Sequence, residues 1–216
     1  MKRFNFFKNI ENRYKNKISL KKPLILRLDG KGVTKNPNID LLDEGENSFS
    51  CALKRTGKYI AEKYRCITYI SNDEINIIFE NPIFISKIFK SIDIQKINSL
   101  ISQEVFFIFN KYFNAKNPIY FDCRCFNIPE NKVYSYLKYR YKSSLNTSIQ
   151  YFAKRYIDVK KRHGVKLNEI VYHLENEIPT FKDRTFYQKE GFIFIKGIIK
   201  IPSKFLIIND TMYVEL

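Results

Sequence analysis

Three acidic residues stand where a chain can use them for metal chemistry. Asp29 closes a short apolar run, Leu24-Ile25-Leu26-Arg27-Leu28, immediately before Gly30. Asp73 and Glu74 sit in the polar SNDE turn between two β-rich runs, CITYI and INIIF. Carboxylates are hard oxygen donors, and Mg²⁺ prefers one or two of them together with substrate phosphates and water. Two such ions can activate an attacking oxygen and neutralise a leaving pyrophosphate, the two-metal scheme of phosphoryl transfer. The stretch from Gly30 to Lys35, with Lys31 and Lys35, reads as a loop of backbone amides able to hold a triphosphate. The same residues also fit ordinary turn chemistry, because Asp-Gly is a common turn and acidic hairpin tips are commonly solvated.

The elements that must position these acids follow from hydrophobic period and turn signals. A helix is expected over roughly the first 18 residues, and the Leu24–Leu28 run then reads as a buried strand closed at Asp29-Gly30. Residues 31–44 carry Gly32, Pro37 and several Asn and Asp, which is loop chemistry. Ser48 to Tyr64 has apolar residues at helical spacing, and a hairpin follows with its turn at Ser71–Glu74. A long helix over 94–113, a strand over 119–128 and a second long helix from Pro129 to about Tyr156 complete the central part. A short helix near Asn168–Leu174 and strands in the tail come last.

The central order is strand, helix, strand, strand, helix, strand, which predicts an α+β, ferredoxin-like sheet, βαββαβ and antiparallel, with helices on one face. Residues 1–135 are expected to form this unit, and 136–216 a helical and strand extension packed with it. If the strand order is 4-1-3-2, the first strand exits at the sheet edge where the second turns into the third. Asp29 then faces the Asp73-Glu74 turn.

Composition bounds the partners. Lys and Arg number 38 against 22 Asp and Glu, a net charge of +16, which points to a polyanion such as nucleic acid. Part of that excess accompanies a general enrichment in Lys, Asn, Ile, Phe and Tyr. Lys138, Arg140, Lys142, Lys154 and Arg155 crowd the second long helix among Tyr134, Tyr136, Tyr139, Tyr141 and Tyr151. Cations neutralise phosphates and tyrosines stack on unpaired bases, or the tyrosines are simply the core face of that helix. A second basic run, Lys160-Lys161-Arg162-His163, follows. Cys51, Cys66, Cys123 and Cys125 form no CxxC pair, and His163 and His173 lie far from them, so no zinc spacing appears. Cys123 and Cys125 share one strand face and read as small hydrophobes. The charged start predicts no secretory signal, and no long uncharged apolar run suggests a membrane span, so a cytoplasmic, reducing setting is expected.

Several segments together resemble one family. RLDGKGVTK resembles the R-L-D-G-K/R-x-F-H segment of the tRNA-His guanylyltransferases and their Thg1-like relatives. YISNDEINIIF is similar to their Y-x-Q-S-D-E-x-S hairpin, and YFDCRCFNIPENKVYSYLKYRYKSSLNTSIQYFAKRY to their F-D-S/A-R-x-F-x-x-P…W-R-Q-x-D segment. GVKLNEIVYHLE and IPTFKDRTFYQKEG continue in the family's order, the latter like its Y-x-K-x-G ending. The resemblance spans roughly residues 10–195.

It implies a polymerase-like palm that works in the 3′-to-5′ direction, adding nucleotides to the 5′ end of tRNA. The product is either the extra guanylate of tRNA-His or a repaired 5′ end. Two Mg²⁺ ions, with ATP and GTP as substrates and a homotetrameric assembly, are part of the same implication. Carried over, Asp29 and Asp73 bind metal with the Gly30 carbonyl, and Glu74 is the adjacent acid supporting the site. Lys31, Gly32, Val33, Thr34 and Asn72 lie against the nucleotide. Arg124, Lys138, Arg140, Lys142, Lys154, Arg155 and Lys189 are candidates for RNA phosphates, with Arg124 and Arg140 alternatively ion-pair partners.

This chain departs from the family at several positions. Val33 and Thr34 replace Phe-His, Ser71-Asn72 replace Gln-Ser, Tyr139 to Ser143 replace W-R-Q-x-D, and Leu145-Asn146-Thr147 replace H-I-N or T-R-N. Lys35 or Asn36 stands near the lysine of the family's K-P-N/F-D. Kept acids with altered recognition positions favour changed specificity, and repair-type addition over strict guanylate addition. A catalytically idle RNA-binding palm and a palm-type nucleotide cyclase are the alternatives.

Overall fold

The first strand, β1 (Leu24–Gly30), alternates between two buried sides, and that alternation organises the molecule. In the computed structural model, which describes residues 16–36, 38–41, 43, 45–158, 162, 164–178, 181 and 191–200, β1 lies inside a sheet. It is followed by a 3-10 turn (Val33–Lys35), helix α1 (Phe49–Tyr64), and the hairpin β2 (Ile67–Ser71) and β3 (Glu74–Phe79). Then come α2 (Ile83–Phe89), α3 (Ile94–Tyr112), β4 (Phe121–Asn127), α4 (Val133–Tyr156), α5 (Leu167–Glu177), β5 (Phe192–Ile195) and β6 (Ile198–Lys200).

The expected order 4-1-3-2 is present, extended by β5 and β6 to β4-β1-β3-β2-β5-β6, with every pairing antiparallel. Leu24, Leu26 and Leu28 face one side with Ile75 and Ile77, and meet Ala52, Leu53, Ile60, Ile101, Val105 and Phe109 of α1 and α3. This is the main core. Ser48 caps α1 by accepting from the Cys51 amide, and Asp93 caps α3 by accepting from the amides of Gln95 and Lys96. Cys123 and Cys125 pack against this core as expected, and burial pushes both thiols up to about 12.

The opposite face of the sheet is covered as well. Ile25, Ile67, Tyr69, Ile78 and Ile193 pack against Val133 and Leu137 at the start of α4. The two palm helices thus share one face, while the extension supplies a helix to the other and two strands to the sheet edge. The far half of α4 (Ile149, Phe152, Ala153) packs with Ile170 and Leu174 of α5. The helix expected over the first 18 residues lies mostly outside the described residues. Where it is described, Lys17 forms a bridge to Asp93 and the Ile18 amide donates to the Ile92 carbonyl, so this end is extended. Among the described residues no helix is long and apolar enough to cross a membrane.

Candidate active site

Residues of the α4-facing side fall into rows set by strand register. The row at the sheet end reads Asp122, Asp29, Glu74, Ser71, and the next reads Arg124, Arg27, Asn76, Tyr69. The third, Phe126, Ile25, Ile78, Ile67, is apolar, and α4 begins over it. The β1 exit and the β2–β3 turn therefore meet at one edge. The Gly30 amide donates to the Asp73 carbonyl at 2.9 Å. A Cβ on Gly30 would lie 2.7 Å from Val33 Cγ2 and 3.3 Å from the Asp73 carbonyl oxygen, so glycine allows this approach.

Proximity shows in the acids' proton affinities. Burial first, and the Asp29 charge next, push the Asp73 carboxyl up to about 6, against the lowering effect of its own backbone hydrogen bond. Burial and the Glu74 charge likewise raise Asp29, with Arg27 and Arg124 opposing. Two crowded, partly buried carboxylates resist full ionisation even with Arg27 beside Asp29, and a divalent ion relieves them.

Glu74 is engaged elsewhere. Arg27 Nη2 donates to Glu74 Oε1 at 2.6 Å and to Asp29 Oδ2 at 3.0 Å, and Arg140 Nη2 contacts both Glu74 oxygens. Arg140 is only 6% exposed, so its charge is held in the protein interior by that pairing. The Tyr136 hydroxyl donates to Asn76 Oδ1 at 2.7 Å, and Asn76 Nδ2 reaches Glu74 Oε2 at 3.5 Å.

Asn72 occupies the first position of the hairpin turn with φ 55°, a left-handed conformation that Asn tolerates. Its side chain is bound to α4: Nδ2 donates to the Ser144 carbonyl at 3.1 Å. The Ser148 hydroxyl lies 2.9 Å from Asn72 Oδ1 and 3.0 Å from the Ser144 carbonyl oxygen, one hydrogen between two acceptors. Tyr136, Arg140, Ser144 and Ser148 recur every four residues, so one stripe of α4 grips the acid hairpin.

Around the loop, Gly32 has φ 74° and opens the 3-10 turn, and Lys31 and Lys35 are exposed. The first amides of such a turn have no acceptor within it. Val33 is 1% exposed and packed in the main core, so its side chain serves the fold while its backbone belongs to the loop. The Thr34 side chain lies outside the described residues.

The basic residues divide. Lys142 and Lys154 are exposed and Lys138 is half-buried. Arg155 pairs with Asp40 at 2.5 Å, linking the end of α4 to the segment after β1. Arg124 is exposed, with Nε 3.7 Å from Asp122. Arg140, turned inward onto Glu74, stands apart from the surface cations. Lys189, like Lys160, Lys161 and His163, lies outside the described residues. Tyr134, Tyr136 and Tyr141 pack on the second core and Tyr151 on the third, whereas Tyr139 is exposed. Sequence reasoning did not single out Arg27, Asn76, Asp122, Ser144 or Ser148. Arg27 stands two positions before Asp29 on one strand and shares its face, the signal that points to it.

The sequence model of the tRNA-His guanylyltransferases matches residues 4–129, more than half of the chain. The chain belongs to the tRNA-His guanylyltransferase family. That family is one of nucleotidyltransferases, and solved relatives share the palm throughout. A bacterial tRNA-His guanylyltransferase (Thg1)-like protein in complex with ATP superposes with a TM-score of 0.77 at 23% identity, over 98% of this chain and 96% of that one. A bacterial Thg1-like protein in complex with GTP gives 0.70 at 22% identity, over 90% of this chain and 84% of that one. The tRNA-His guanylyltransferase of Saccharomyces cerevisiae gives 0.72 at 17% identity, over 87% and 91%. No curated protein matches the chain by sequence. The family match ends just before α4, so the helix that holds Glu74 and Asn72 lies beyond the matched segment.

Proposed function

We propose that this protein is a Mg²⁺-dependent nucleotidyltransferase that adds nucleotides in the 3′-to-5′ direction to the 5′ end of a tRNA or tRNA-like RNA. The observation that carries the reading is the meeting of Asp29 and Asp73 at the end of β1, joined by the Gly30–Asp73 backbone bond in a palm of this family. Among the described residues no three His, Cys, Asp or Glu side chains gather to hold a metal. Two carboxylates with a backbone carbonyl instead suit Mg²⁺, which completes its shell with substrate phosphate and water.

Asp29, Asp73 and the Gly30 carbonyl would hold the ions, two by family resemblance. The chemistry such ions would supply there is neutralisation of triphosphate charge and easier ionisation of an attacking 3′-hydroxyl. The chain's own residues do the rest. Amides at Gly32–Thr34, with Lys31 and Lys35, receive phosphate oxygens of ATP or GTP. Arg27 and Arg140 hold Glu74, and through Arg27 the Asp29 carboxylate is held in place. Asn72 fixes the turn that carries Asp73. Lys138, Lys142, Lys154 and Arg155, with Arg124 and Lys189, meet the RNA backbone.

Incubation with 5′-truncated tRNA, Mg²⁺ and radiolabelled nucleotides tests this. Label is expected at the 5′ end, and Asp29→Ala or Asp73→Ala should lower incorporation by at least ~100-fold, as loss of transition-state charge stabilisation does. No incorporation of any nucleotide by folded protein that still binds RNA would instead establish an idle palm.

A further inference from the structure

Exposed aromatic residues are ordinary singly, and Tyr120 is 60% exposed, yet three features set it apart. Its backbone is pinned on both sides. Asn110 accepts from the Ile119 amide at 2.9 Å and donates to the carbonyls of Ile119 at 2.9 Å and Phe106 at 2.8 Å. Ile119 and Phe121 flank Tyr120 with side chains buried in the core. Second, one face of its ring is packed on Phe106, with centroids 5.1 Å apart and planes inclined by 21°. With one face stacked and most of the residue exposed, the other face is open among the described residues. Third, the Tyr120 carbonyl accepts from the Lys31 amide at 2.9 Å. The backbone that carries the ring is thereby joined directly to the loop that follows Asp29.

We propose that the Phe106–Tyr120 pair is a nucleobase-stacking platform, on which an unpaired base of the substrate extends the aromatic stack beside the Gly30–Lys35 loop. The inference rests on reading that loop as the phosphate-binding segment. A flat, rigidly held π-face accepts any base with little ordering cost, and base–aromatic stacking needs no hydrogen-bond readout. Exposed Lys31 and Lys116 give the neighbourhood the charge that a nucleotide requires. The base belongs either to a nucleoside triphosphate or to the RNA terminus.

The chain contains no Trp, so Tyr120→Trp places a single indole reporter on the platform. Its fluorescence should be quenched by ATP or GTP, by 5′-truncated tRNA, or by both, and not by inorganic tripolyphosphate. The ligand that quenches identifies the source of the base. Tyr120→Ala should weaken binding of that ligand roughly 5- to 100-fold, as loss of one base–aromatic stack does. Tyr120→Phe should bind as the unaltered protein does. Tyr172→Ala, which removes a 66% exposed ring on α5, should also leave binding unchanged. Absence of quenching by every base-containing ligand, unaltered binding by Tyr120→Ala, or an equal loss in Tyr172→Ala overturns the platform. If incorporation proceeds while quenching fails, the platform is wrong and the transfer reading stands. Quenching without any incorporation supports the platform and overturns the transfer reading.

Discussion

In the proposed transfer one carboxyl group matters most. Asp73 binds a proton more readily in the fold than in the unfolded chain, up to about pH 6, so its charged form opposes folding. Its contribution to stability is fully present below about pH 4 and is lost as the pH rises through about 6. Asp73→Asn should therefore raise Tm at pH 7.5, by roughly 2–4 °C for about 1 kcal/mol relieved, while abolishing transfer. Calorimetry at pH 4 and pH 7.5 checks it, since the gain should vanish at the lower pH. In the unaltered protein Mg²⁺ should supply the same relief and raise Tm at pH 7.5 only, because the ion requires the ionised acid. Gly30 carries a second expectation. Gly30→Ala sets a methyl against Val33 and the Asp73 carbonyl and should cost about 1–3 kcal/mol in denaturant unfolding, with transfer reduced as the turn shifts. These residues were legible because β1 and the hairpin carry local signals: an apolar run ending in Asp-Gly, and a polar turn between β-branched runs.

At the scale of elements, α4 does more than supply a basic surface. Its stripe at Tyr136, Arg140, Ser144 and Ser148 reaches Asn76, Glu74 and Asn72 in turn. Arg140→Met leaves the Glu74 charge with Arg27 alone and should destabilise the fold by about 3 kcal/mol. Adding Glu74→Gln should recover part of that loss in urea unfolding, because the charge that has lost one of its two arginines is then removed. Asn72→Gly separates geometry from grip. It keeps the φ 55° conformation without strain but deletes the α4 contacts, so stability should fall by about 1 kcal/mol and transfer by a larger factor. The helix itself was legible from Pro129, although a 3-10 turn (Glu130–Lys132) comes between that proline and its first residue, Val133. Its inward polar stripe was not, because a charged residue at helical spacing reads as solvated until the partner across the sheet is known. Arg140 shows the difficulty: the sequence left it either an RNA-facing cation or an ion-pair partner, and only the fold names Glu74 as its partner.

At the scale of the whole molecule, the order of strands was the decisive deduction, since it alone brings Asp29 to a turn distant in sequence. The extension was less legible. β5 and β6 have apolar, β-branched sequences that mark them as strands, but nothing local says that β5 pairs with β2. Nor does local pattern say that α4 covers the second face. Among the described residues Lys31, Lys35, Lys142, Lys154 and Arg155 lie exposed on this frame, with RNA affinity expected to fall steeply with salt. Lys142→Ala and Lys154→Ala should each lower the slope of log affinity against log salt by about 1 without changing Tm. The acid centre itself is tested most directly by diffraction from crystals soaked with Mn²⁺ and a nucleoside triphosphate. Anomalous density is expected about 2.1 Å from oxygens of both Asp29 and Asp73, near the octahedral Mg²⁺ distance, with Glu74 still on Arg27 and Arg140. Density that avoids either aspartate, or that takes Glu74 from its arginines as a ligand, would contradict a metal centre built on Asp29 and Asp73.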